Sequence, residues 1–172
     1  MVKFILYLLI ILCCGIGGML KASVYSERVT YLQELIATFK ILETEIKFRM
    51  DPLPESFRRV GNYKKNKASL LLVTAGSMLA ENRGYSFAEC WENAVLEVYE
   101  KTGLTGEDIC ILKDMSIELG KSDMAGQSSM FERVNIRLTD QLSAAVEDKK
   151  TKGKMYRSLG FAIGAVIVIL LV

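Results

Sequence analysis

Two charge-free apolar stretches lie at the ends of the chain, Phe4 to Leu20 and Ser158 to Val172, and between them apolar and polar residues alternate with helical spacing. At about 1.5 Å per residue the first stretch makes a helix of roughly 26 Å, enough to cross a hydrocarbon core of about 30 Å with slight bilayer thinning. The last fifteen residues reach only about 23 Å, so a second crossing draws on Met155 and Tyr156, with Arg157 extending its guanidinium to the interface. This pattern predicts an N-terminal transmembrane anchor over residues 1–21, a helical domain over 22–157 and a C-terminal transmembrane anchor over 158–172.

The middle predicts six helices. From Tyr25 to Met50 the apolar positions recur at near-heptad spacing, with Tyr25, Leu32, Phe39 and Ile46 on one line, Leu35 and Leu42 beside it, and Val29 and Ile36 widening the stripe. Nothing between Lys21 and Met50 breaks a helix, so the first anchor runs on into this one until Pro52 and Pro54. A short helix through Leu53, Phe57 and Val60 is expected to stop at Gly61 and Asn62. The third, from Leu70 to Ala80, is apolar around much of its circumference and is expected at the centre of a bundle. Ser86 with Glu89 three residues on forms a capping box that starts the fourth, whose buried face is read as Trp91, Ala94, Val95, Val98 and Tyr99. Thr105 opens the fifth, which carries Glu107 and Asp108 in its first turn and Gly120 at its end. From Asp123 the apolar spacing continues to Arg157 and into the terminal stretch, with Gly153 as its one weak point. The fold class is all-α: a six-helix antiparallel bundle with transmembrane helices at both ends.

Charge sets the orientation. Lys149, Lys150, Lys152, Lys154 and Arg157 precede the second span and only the carboxyl terminus follows it, which places the middle on the cytoplasmic face. Lys3 before an apolar run also fits a signal peptide, but Met19, Leu20, Lys21, Ala22 and Ser23 lack a small-x-small cleavage site. With 22 Lys and Arg against 20 Asp and Glu, the formal charge of +2 is too small for backbone binding to nucleic acid. Lys64, Lys65 and Lys67 read as a solvated loop.

Candidate chemistry is sparse. Histidine is absent, which removes the commonest zinc ligand and general base, and the four cysteines form neither a CxxC nor a zinc pattern. No enzyme, cofactor or metal site is therefore expected. Small residues in the spans, Gly15, Gly17 and Gly18 in the first and Gly160 and Gly164 in the second, suit close helix packing in lipid, either against each other or against a partner's helices. Charges interrupt the stripe of the first long helix. Arg28 and Arg49 read as ends beyond the core, while Glu43 suits a buried pair and a partner contact equally. Candidate interaction residues are Glu43, Glu45, Arg49, Gly120, Ser122, Asp123 and Gln127. If Glu45 and Gln127 face solvent near one another they make a partner surface; if buried and paired, they hold the bundle together.

Several short strings occur together in a specific order: Tyr25-x-x-Arg28 leading into Leu32 and Leu35, Leu42-Glu43-x-Glu45-Ile46, Pro52-Leu53-Pro54-Glu55, Leu119-Gly120-x-Ser122-Asp123 with Gln127, and Tyr156-Arg157-Ser158-Leu159-Gly160. End to end, the chain resembles the stage III sporulation protein AB family. The resemblance implies a component of the channel between mother cell and forespore, anchored in the outer forespore membrane with its central domain on the mother-cell side. It further implies a non-enzymatic platform whose partners are other channel subunits, including a cytoplasmic ATPase and membrane and intermembrane rings. That family is similar in turn to the cytoplasmic domain of the type II secretion inner-membrane platform protein. A homo-oligomer is left open. The reading from another class is a membrane-tethered sensor or regulator whose bundle binds a small ligand, which needs a polar-lined cavity between helices.

Overall fold

A computed structural model describes residues 2–49, 51–81, 84–99, 102–119 and 124–171. Among the described residues every element is helical. They are α1 (Val2–Arg49), α2 (Leu53–Lys64), α3 (Ser69–Ala80), α4 (Phe87–Tyr99), α5 (Gly106–Leu119) and α6 (Met124–Asp148), followed by a π-helical turn (Lys149–Gly153) and α7 (Lys154–Leu171). The last three run on without a break, giving six rods in the order the periodicity predicts. The first and last rods are each long and apolar enough to cross a membrane. The chain divides into two compact units, one of Met1–Val29 with Ser143–Val172 and one of Thr30–Leu142.

The second unit is the helical bundle. Along α1 its buried residues are Leu32, Leu35, Phe39, Leu42 and Ile46, alternating steps of three and four, so that one seam stays turned inward. Tyr31 and the Thr38 hydroxyl are also buried. Phe39 meets Trp91 and Phe131 with ring centroids 6.4 and 6.5 Å apart, and Trp91 also packs against Phe57 at 5.6 Å and Phe87 at 6.2 Å. The Trp91 indole N–H donates to the Leu112 carbonyl at 2.6 Å, which satisfies a donor that would otherwise be buried without a partner.

Local signals set the helix starts. The Glu89 carboxylate accepts from the Ser86 backbone N–H at 2.7 Å and from its hydroxyl at 2.9 Å, while the Glu89 N–H donates to Ser86 Oγ at 3.3 Å. These hydrogen bonds hold the Glu89 carboxyl below its ordinary range. Thr105 and Asp108 form the equivalent box on α5, with the Thr105 N–H donating to Asp108 Oδ2 at 2.8 Å. The start of α3 is capped from a distance, by Glu34 Oε2 accepting from the Ala68 N–H at 3.2 Å.

Four expectations are corrected. Helix α2 passes through Gly61 and Asn62 and ends at Lys64, with Lys65 in the left-handed region at φ 46°. Gly61 serves close approach instead of termination: a Cβ there would stand 2.6 Å from Val73 Cγ2 of α3. Helix α3 is not buried all round: it packs on α2 and α4 and buries Leu71, Leu72 and Ala75 but leaves Leu70 and Val73 exposed. Tyr99 is exposed too, while the other four residues named for the α4 face are buried. Arg28 is not beyond the core but 7% exposed, in an ion pair with Asp148 at 3.8 Å.

The first unit is an antiparallel pair made by the start of α1 and by α7. Gly153 faces the Ala22 carbonyl, Gly160 faces Gly18, and Gly164 faces Ile11 and Cys14. Along the part of the last rod in this unit the buried positions Ala145, Gly153 and Gly160 are separated by eight and seven residues, and the step of eight spans the π-helical turn. The wider turn takes up the one surplus residue, so Gly153 stays in line with the glycines after it.

Candidate interaction surfaces

The candidates on α1 fall into two separate networks. Glu45 accepts from Arg59 at 3.2 Å and pairs with Arg49 one turn on at 3.1 Å; Arg59 also donates to Asp51 at 2.7 Å. Both carboxylates hold the Arg59 guanidinium above its ordinary pKa. The network ties the end of α1 to α2 across the proline turn. Arg49 stays more than half exposed, beside Phe48, whose side chain is 77% exposed.

Glu43 is half-buried and accepts from the Ser128 hydroxyl of α6 at 3.1 Å. Gln127, also half-buried, donates to the Leu119 carbonyl at 3.3 Å and so caps the end of α5. Glu45 and Gln127 are thus each partly buried and each paired, with different partners. Gly120, Ser122 and Asp123, named with Gln127 as one reversal, lie outside the described residues.

The surface grooves of the bundle include two that border exposed apolar side chains. The first is the outer side of α3, a helix with no charged residue, where Leu70, Val73, Ser77 and Ala80 are exposed next to the α2 residues Glu55, Arg58 and Asn62. The second is a groove between α1 and α6 lined by Lys40, Glu43, Glu132, Asn135, Ile136 and Asp140. Ile136 is 57% exposed there, and the buried Asn135 Oδ1 makes no hydrogen bond among the described residues. Both are surface grooves and neither is an enclosed chamber. Among the described residues no cluster of three or more metal-ligating side chains occurs. Cys90 is buried, which pushes its thiol pKa up and leaves it a weak nucleophile.

In the helix pair, the glycines separate by geometry. A Cβ on Gly18 would stand 2.7 Å from the Tyr156 carbonyl, and one on Gly160 would stand 2.8 Å from the Cys14 carbonyl. At Gly164 it would lie 3.1 Å from the Ile11 Cα, and at Gly15 it would press on the Phe161 ring at 2.7 Å. Gly17 faces open space. Tyr25 and Tyr156 stack at 6.0 Å, and Asp148 also pairs with Lys152 at 2.7 Å.

The composition and spacing of α1 do not point to Arg59, Asp148 or Glu34 as partners. The pairs Arg59–Glu45, Glu34–Ala68 and Arg28–Asp148 join residues 14, 34 and 120 positions apart, and no local pattern carries such distances.

Comparison with known proteins gives one consistent result. A sequence profile of the family described as stage III sporulation protein AB matches residues 3–172. The stage III sporulation protein AB of Bacillus subtilis (strain 168) is 24% identical over 172 residues, covering 99% of each chain. A solved structure of stage III sporulation protein AB superimposes with a TM-score of 0.66 at 21% identity, covering 73% of this chain and 98% of the other.

Proposed function

Since this chain belongs to the stage III sporulation protein AB family, we propose that it is a non-enzymatic membrane platform of the channel between mother cell and forespore, linking a cytoplasmic ATPase to membrane and intermembrane ring subunits. The first and last rods cross the outer forespore membrane in this reading. Residues 22–157 lie on the mother-cell side, with anchors at 1–21 and 158–172. The observation that carries it is the build of the chain: an apolar helix pair closed backbone to backbone at Gly18 and Gly160, and a bundle that offers open surface grooves and a charge-free helix face. Such a bundle is suited to binding other proteins.

The outer side of α3 and the α1–α6 groove are the proposed contact surfaces for channel subunits. Glu43 borders the groove, and Arg49 with Phe48 offers a third, smaller contact at the tip of α1. Affinity purification of the full chain from sporulating cells in mild detergent with crosslinking tests the role. Recovery of an ATPase or ring subunit, reduced by Val73→Asp or Ile136→Asp, supports it; recovery of neither under crosslinking overturns it. Sidedness has its own test, since a cysteine placed at Asn66 should resist an impermeant thiol reagent added outside intact mother cells.

A further inference from the structure

The whole-chain charge of +2 hides a division. Residues 1–29 and 143–172 hold eight Lys and Arg against three acids, a formal +5, while residues 30–142 hold fourteen against seventeen, a formal −3. Seven of the eight cations lie between Lys21 and Arg28 on one helix or between Lys149 and Arg157 on the other. Since Gly153 faces Ala22 and Gly160 faces Gly18 in the antiparallel pair, these two stretches lie side by side.

Within that belt the acids are partly committed. Asp148 is held by Arg28 at 3.8 Å and by Lys152 at 2.7 Å. Lys21, Lys149, Lys150, Lys154 and Arg157 are all exposed and pair with no acid among the described residues. Exposed apolar side chains border them on one side: Met19, Leu20, Met155 and Leu159, each between 43% and 64% exposed. The π-helical turn matters here, because it keeps Gly153 against α1 while Lys149, Lys150, Lys152 and Lys154 all remain exposed.

We propose that this belt is a binding surface for anionic phospholipid headgroups, which gather around the helix pair in preference to neutral lipid. The inference rests on the proposed membrane crossing. Apolar side chains set the depth, and the unpaired cations then lie in the headgroup layer, where each Lys or Arg gains from negative lipid. Arg157 and Lys154, closest to the apolar residues, reach the phosphates by extending along their stems.

Full-length protein reconstituted in phosphatidylcholine vesicles, with a trace of spin-labelled phosphatidylglycerol or spin-labelled phosphatidylcholine, tests this by electron spin resonance of the motionally restricted lipid. Phosphatidylglycerol should associate about five-fold more strongly than phosphatidylcholine at low salt and approach parity in K149Q/K150Q/K154Q/R157Q. The charge-preserving K149R/K150R/K154R variant should keep the preference, and so should addition of inorganic phosphate at matched ionic strength. Equal association of both lipids with the native chain overturns the proposal, as does an undiminished preference in the glutamine variant or its loss to inorganic phosphate. Absence of a restricted component with either lipid is a different result: it refutes the membrane crossing itself, and the belt falls with it.

Discussion

Replacing Gly18 or Gly160 with alanine adds one methyl group where two helix backbones meet. The new Cβ would lie 2.7 Å from the Tyr156 carbonyl in the first case and 2.8 Å from the Cys14 carbonyl in the second, against an ordinary contact of 3.4–4 Å. Backbone cannot swing aside as a side-chain tip can, so the helices must part by about 0.6 Å or more at the crossing, with a cost of about 1–3 kcal/mol. At Gly17 the same methyl meets nothing within 4 Å, which makes Gly17→Ala a matched control. Tyr7 Oη donates to the Leu171 carbonyl at 3.3 Å, so those positions report on pairing at the far end of the helices. In a full chain with the native cysteines replaced by serine, cysteines at positions 7 and 171 are oxidised in detergent micelles. The initial crosslinking rate is expected to fall about ten-fold for Gly18→Ala and Gly160→Ala, the change that about 1.4 kcal/mol produces, and to hold for Gly17→Ala. Equal rates for Gly17→Ala and Gly18→Ala would refute the close crossing.

Three further outcomes follow from the bundle and its caps. Trp91→Phe removes the hydrogen bond to the Leu112 carbonyl and shrinks a fully buried ring, and should lower stability by about 1–3 kcal/mol in denaturant titration with an unchanged m-value. Asp148→Asn weakens the pairing of the buried Arg28 cation and should lower stability by about 1 kcal/mol or more in thermal melts in detergent, whereas the exposed Lys150→Gln should leave the melt unchanged. Because the folded-state pKa of Glu89 is held below 4.5, its cap stabilises α4 fully above that pH and is lost as pH falls through the folded value. Glu89→Gln should therefore flatten the pH dependence of amide protection at the start of α4 as pH is lowered below 4.5.

Element order and type were legible because periodicity and punctuation agree: proline at 52 and 54, capping boxes at Ser86 and Thr105, and a heptad seam along α1 all point to the same helices. Gly61 misleads because glycine ends helices and also lets helices touch, and only the neighbour Val73 decides between the two. The apolar circumference of α3 suggested a central helix, but residue type alone does not distinguish a face buried in a bundle from one left open. For the candidate sites, the sequence supplied one side of each pair. Glu43, Glu45 and Gln127 stand out as polar residues on or near an apolar stripe, while Ser128, Arg59 and the Leu119 carbonyl come from other parts of the fold. Arg28 was misread as a helix end because its counter-charge, Asp148, lies 120 residues away.

The wide turn at Lys149–Gly153 sets the rotational phase of Gly153, Gly160 and Gly164 relative to Ala145, within the helix pair. Each residue of an ordinary helix advances the chain by about 100°, so adding or deleting one residue in α7 before Gly160 would swing the glycine edge away from α1 by that angle. Deleting one residue inside the turn has the opposite consequence: the surplus vanishes, the rod closes as plain α-helix, and Gly160 and Gly164 still face their partner. The same loss of one residue thus leaves the whole glycine edge aligned at Thr151 and takes either Gly153 or Gly160 out of line at Ser158.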